Sequence, residues 1–103
     1  MPTIEELEKL LEADPRDTFV LYGLAQEHEK TGNHAEAVGY YDRCLEADPA
    51  YSYAYFHKAR TLLNMNETLR ARDTLAAGLR AARAAGDAHA ADEIAGFLQE
   101  LDG

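Results

Sequence analysis

A chain of 103 residues forms one small domain with a modest core, and its 47% apolar content belongs to a folded protein rather than a disordered one. A net charge of −9 opposes nucleic acid as the main partner, because phosphate contacts need a basic field. No apolar run approaches the ~20 residues that span a bilayer, and the single Cys44 excludes an internal disulfide and a cysteine-built zinc site.

Ala and Leu dominate over Val and Ile, which favours helix over sheet. The first predicted helix covers about 3–13, with Ile4, Leu7, Leu10 and Leu11 on one stripe and Thr3 and Glu6 as a capping box. Asp14-Pro15 ends it. The second runs over about 17–31, with Asp17 as N-cap and Gly32-Asn33 as the stop. The third covers about 34–47 and stops at Asp48-Pro49. A fourth, about 51–64, begins on the alternating Tyr51, Tyr53 and Tyr55. Ala54, Ala59, Leu62 and Leu63 carry helical spacing through it, so it reads as helix rather than strand. The fifth spans about 67–85 up to Gly86, and the sixth about 87–101. Connections of two to four residues make successive helices antiparallel neighbours.

The phrase Leu10-Leu11-Glu12-Ala13-Asp14-Pro15 returns as Cys44-Leu45-Glu46-Ala47-Asp48-Pro49, 34 residues later. That is the period of a helix–turn–helix repeat. The charge is uneven along this pattern. Residues 1–51 carry 12 acidic and 4 basic side chains, whereas 52–103 carry 7 and 6. Within 52–86, Lys58, Arg60, Arg70, Arg72, Arg80 and Arg83 oppose only Glu67 and Asp73, which leaves room for an anionic peptide partner.

Residues 18–51 resemble the tetratricopeptide-repeat family. Leu21 stands at the usual Trp, Leu24 at the Leu, and Ala25 at the small residue where two helices touch. Gly32-Asn33 form the inner turn, Ala37 and Tyr41 fall at the Ala and the aromatic of the second helix, and Pro49 closes the unit. His28 and Cys44 depart from the usual Tyr and Ala. In the next unit Tyr55, Ala59, Leu62, Ala71 and Leu75 match in character, Lys58 replaces a Leu, and no Pro closes the unit. The resemblance implies an all-α fold of antiparallel helix-turn-helix repeats stacked as a short right-handed α-solenoid. It divides the chain into a half repeat over 1–16, a repeat over 17–51, a divergent repeat over 52–85 and a capping helix over 86–103. Such units bury their apolar faces only by stacking.

At about 100° per residue, the first helix of each repeat carries two faces. Leu21, Leu24, Ala25 and His28 form the packing face. Phe19, Tyr22, Gln26 and Glu29 lie on a second stripe, and Tyr53, Phe56, Arg60 and Leu63 follow on its continuation one repeat later. In the family this stripe lines a concave groove that binds peptides. Phe19, Tyr22, Tyr53 and Phe56, with Gln26 and Arg60 as polar contacts, are therefore the candidate partner-binding residues. The competing reading packs Phe19 on the first helix and Phe56 on a neighbour as ordinary core. The family's clamp for C-terminal carboxylates uses Lys and Asn at positions held here by Tyr22, Gln26, Phe56 and Arg60, so a receptor for chaperone tails is not implied.

No catalytic constellation assembles. His28, His34, His57 and His89 lack metal-ligand spacing, Cys44 sits at a packing position, and glycine-rich phosphate loops and nucleophile elbows are absent. The arginines Arg70, Arg72, Arg80 and Arg83 belong to a second helix and read as its solvated, convex side. The expected role is a scaffold or adaptor for another protein, without cofactor or metal, in the cytoplasm. The alternative is self-assembly as a homodimer through the groove or through Ile94, Phe97, Leu98 and Leu101 of the last helix.

Overall fold

In a computed structural model, which describes residues 2–102, six helices follow one another in the order read from the sequence. Residues 1 and 103, the outer limits of the first and last segments expected above, lie outside that range. The helices are α1 (Ile4–Ala13), α2 (Thr18–Lys30), α3 (His34–Ala47), α4 (Ser52–Asn64), α5 (Thr68–Ala84) and α6 (Ala88–Asp102). Each packs chiefly on its neighbours in sequence, with a lesser contact between α4 and α6.

Local chemistry sets the helix ends. Thr3 and Glu6 form the reciprocal capping box, with Glu6 N donating to Thr3 Oγ1 (3.1 Å) and Thr3 N to Glu6 Oε1 (3.0 Å). Asp17 caps α2 by accepting from Val20 N at 3.2 Å. The 34-residue period is visible in the backbone itself. Asp14 and Asp48 share nearly the same extended conformation (φ −145°, ψ 93° and φ −143°, ψ 95°), as a following proline demands. Each accepts through Oδ1 from the amide two residues on, Arg16 N at 3.1 Å and Ala50 N at 3.0 Å.

The other turn recurs at the same interval. Gly32 and Asn66 both hold positive φ, 80° and 61°. The next residue closes the helix end in each case, Asn33 N donating to His28 O (2.9 Å) and Glu67 N to Leu62 O (2.8 Å). Asn tolerates this left-handed conformation better than most residues, so the second repeat keeps the turn without glycine.

Ala25, Ala37, Ala59 and Ala71, the small residues of the repeat register, are all fully buried. Larger side chains would hold these helix axes apart. One core cluster gathers Leu7, Leu11, Leu21, Leu24, Tyr41 and Cys44 but reaches forward to Ala54 of α4. The other gathers Ala59, Leu62, Leu75 and Ile94 but reaches back to Val38 of α3. Each repeat thus completes its core with a residue of the other.

One position departs from the sequence reading. Leu10, expected on the buried stripe of α1, is exposed, and only Leu7 and Leu11 are buried there. Lys58 occupies an apolar position yet fits, because its Nζ reaches Asp42 Oδ1 of α3 at 2.6 Å and lets the stem stay covered.

Candidate partner-binding groove

The six candidate residues of the second stripe of α2 and α4 differ in how far they are free. Phe19 is 76% exposed and Tyr53 57% exposed, so neither ring belongs to the core. Tyr22 is half-buried. Its ring lies 6.0 Å from Tyr41, 5.2 Å from Tyr51 and 5.9 Å from His57, centre to centre. Gln26 donates from Nε2 to the Tyr22 hydroxyl at 3.0 Å. Phe56 is half-buried as well, edge-on to Phe97 of α6 at 5.0 Å and to His57 at 5.6 Å. Such tilted aromatic pairs are favourable beyond the area they bury. Arg60 is exposed.

The candidates fall into two groups. Phe19, Tyr22 and Gln26 line a cleft between α1 and α2 that Pro2, Leu7, Gly23 and Glu27 complete. Tyr53 and Phe56 line a cleft of about 270 Å³ between α4 and α6, with Tyr51, Asp48, Asp87 and Glu93 around them. Arg60 opens an adjoining cleft where Phe56 and Glu93 recur beside Phe97, Asp92 and Glu100. The ring contacts from Tyr22 through His57 to Phe56 join the two groups.

Sequence reasoning left out Tyr51, His57, Tyr41 and the wall supplied by α6. Tyr41 is fully buried, and its hydroxyl donates to Glu29 Oε2 on the stripe at 2.9 Å, so Glu29 is engaged within the fold. Phe97 had been grouped with Ile94, Leu98 and Leu101 as a stripe open for a cap or an interface. The structure packs all four on the second core cluster, with Ile94 fully buried, and turns Phe97 toward Phe56. The loss of repeat motif after residue 86 concealed this; the aromatic at position 97 in an otherwise regular apolar stripe was the available signal.

Burial shapes the acid–base character of this surface. It pushes the Tyr22 hydroxyl up to about 12, with the hydroxyls of Tyr51 and Tyr53 and the charge of Glu29 adding to it. Tyr41 is raised further by burial and by Glu29. His57 is lowered, first by burial and then by Arg60, with Glu29 opposing. Cys44 is fully buried, and burial lifts its thiol to about 11, which keeps it protonated and unreactive near neutrality. Among the described residues no group of three or more His, Cys, Asp or Glu gathers in a way that could hold a metal ion. Among the described residues no helix is long and apolar enough to cross a membrane.

The family model of the tetratricopeptide repeat matches residues 28–92. A TPR repeat-containing protein of Pseudomonas aeruginosa is 30% identical over 99 residues, which cover 96% of this chain and 94% of that protein. The solution structure of a tetratricopeptide repeat domain protein from Salinibacter ruber has a TM-score of 0.81 at 33% identity, covering 87% of this chain and 91% of that one. The fold is also that of PcrH, determined in complex with the chaperone binding region of PopD (TM-score 0.86, 18% identity, 96% of this chain and 75% of that one). With its helix boundaries, its buried alanines and both turns recurring at 34 residues, this chain belongs to the tetratricopeptide-repeat family.

Proposed function

We propose that this chain is a binding module, an adaptor or scaffold that holds an extended or helical segment of another protein along the surface of Phe19, Tyr22, Gln26, Tyr53, Phe56 and Arg60. The observation that carries the reading is the pair Phe19 and Tyr53. They sit one repeat apart on the first helices of successive units and are 76% and 57% exposed. Large rings left in water gain little for the fold, whereas aromatic anchors dominate the energy of many interfaces. PcrH offers a precedent for this fold receiving part of another protein, the chaperone binding region of PopD.

Tyr22 and Phe56 act in two capacities, since each ring packs on other rings of the fold and also lines a cleft. The test is affinity capture from native extract with a Phe19→Ala/Tyr53→Ala double variant. Partner binding should weaken by ~2 kcal/mol or more, while circular dichroism and melting stay unchanged. Tyr22→Ala and Phe56→Ala should lose both binding and some thermal stability. Undiminished capture by the double variant would exclude the groove.

A further inference from the structure

Of the arginines that left room for an anionic partner, only Arg60 lines the groove. Arg70, Arg80 and Arg83 are exposed on α5, and none of them borders either cleft between α4 and α6. What borders those clefts is mostly acidic: Asp48, Asp87, Asp92, Glu93 and Glu100, against the guanidinium of Arg60 and the imidazole of His89. Two of these carboxylates are fixed by the backbone. Asp48 Oδ1 accepts from Ala50 N at 3.0 Å, and Asp87 Oδ1 accepts from Ala90 N at 3.1 Å at the start of α6. Among the described residues their other oxygens hold no bond. Glu93 lies beside them on α6, 2.6 Å from His89 Nε2.

Aromatic walls and a carboxylate rim together attract a particular kind of side chain, one with an apolar stem and a cationic head. Lys and Arg have that build: the stem lies along rings, the charge meets π-faces and carboxylates. At about 270 Å³ the cleft lies just below the ~300–1,000 Å³ usual for small-molecule sites, which suits one or two long side chains.

We propose that the groove selects a basic segment of its partner, placing a Lys or Arg side chain between Tyr53, Phe56 and the carboxylates of Asp48, Asp87 and Glu93. This rests on the groove reading given above and names the chemistry of its occupant. A second copy of this chain, offering its own Arg80 or Arg83, is the competing occupant.

The test is selection of random dodecapeptides displayed on phage against three proteins. These are the full chain, a cleft variant (Asp48→Asn, Asp87→Asn, Glu93→Gln) and a control variant (Glu5→Gln, Glu8→Gln, Glu12→Gln) altered at exposed positions of α1. Both variants lose three negative charges, and Asn retains the oxygen that accepts from the backbone. The full chain and the control should select sequences rich in Lys and Arg, and the cleft variant should not. Calorimetry with the strongest basic peptide should show about tenfold weaker binding to the cleft variant and little change with the control. Equal loss in both variants would reduce the effect to net charge and overturn the proposal, as would selection of acidic or neutral sequences. If neutral sequences are selected and depend on Phe19 and Tyr53, the groove stands and only the basic preference falls. If nothing selected depends on the rings or the carboxylates, both fall. A dimer in sedimentation that only the cleft variant abolishes would make the second copy the occupant instead.

Discussion

Replacing Gly78 by alanine tests the junction that shapes the α4–α6 cleft. Gly78 lies inside α5, 34 residues after Cys44, where α4, α5 and α6 converge. A Cβ built there would stand 2.7 Å from Tyr55 Cβ, 2.8 Å from Tyr55 Cγ and 3.3 Å from Ile94 Cδ1. Tyr55 cannot swing aside cheaply, because the close atoms are at the root of its side chain and its hydroxyl donates to Pro49 O at 2.7 Å. Two effects compete. Alanine improves helix propensity over glycine by about 1 kcal/mol. Overpacking at so close a contact costs ~1–3 kcal/mol, and a separation under 3 Å belongs near the upper end. The expected outcome is a net loss of about 1–2 kcal/mol, a melting temperature lower by roughly 4–8 °C for each kcal/mol in a domain of this size. Gly39→Ala and Gly96→Ala supply the internal control. Both glycines are helical, and a Cβ at either meets nothing within 4 Å. Those variants should gain about 0.5–1 kcal/mol from propensity alone. Thermal melts followed by circular dichroism for the three variants settle the matter. If Gly78→Ala rises with the other two, α4 and α5 do not approach as described.

The same packing logic predicts that Ala25→Leu and Ala59→Leu each lose ~1–3 kcal/mol by overpacking, read as a lowered melting temperature; an unchanged melt at either site would contradict the register. Cys44 should resist a thiol reagent in the native state and react once denaturant is added, because it is buried and its thiol is lifted to about 11. Stability should fall as pH rises above about 10, the ordinary tyrosine value. Unfolded tyrosines release their protons there, whereas folded Tyr22 holds its proton to about 12 and Tyr41 holds its own higher still, so alkali favours the unfolded chain. Denaturant titrations at pH 8 and 10.5 measure the difference, and equal midpoints would refute it. Acid acts on His57 in the opposite sense. Its folded value is lowered, so stability present above about 6.5 should decline as pH falls below it, and His57→Gln should flatten that slope.

What was legible in the sequence is what local chemistry decides. Asp14-Pro15 and Asp48-Pro49 fix extended residues and end helices, and Thr3, Glu6 and Asp17 name their own caps. The 34-residue interval places Ala25, Ala37, Ala59 and Ala71 at close contacts, where all four are found fully buried. Helical spacing also separated the stripe of Phe19 and Tyr53 from the packing stripe, and those rings are exposed. Periodicity assigns a side chain to a face, but the distance and tilt of the next helix decide how much of that face stays open. Only the packed structure showed Tyr22 held between Tyr41, Tyr51 and His57, and Phe56 against Phe97. The apolar stripe of α6 looked free because its repeat motif has faded. In three dimensions it closes the second core cluster and supplies a wall of the cleft. Charge followed the same division. The run of basic residues in 52–86 is plain in the sequence, yet α5 carries Arg70, Arg80 and Arg83 outside the clefts, and Asp48, Asp87 and Glu93, scattered over 46 positions, meet at one of them. Sequence order records which residues exist, and the field they make together depends on the through-space distances that folding alone sets.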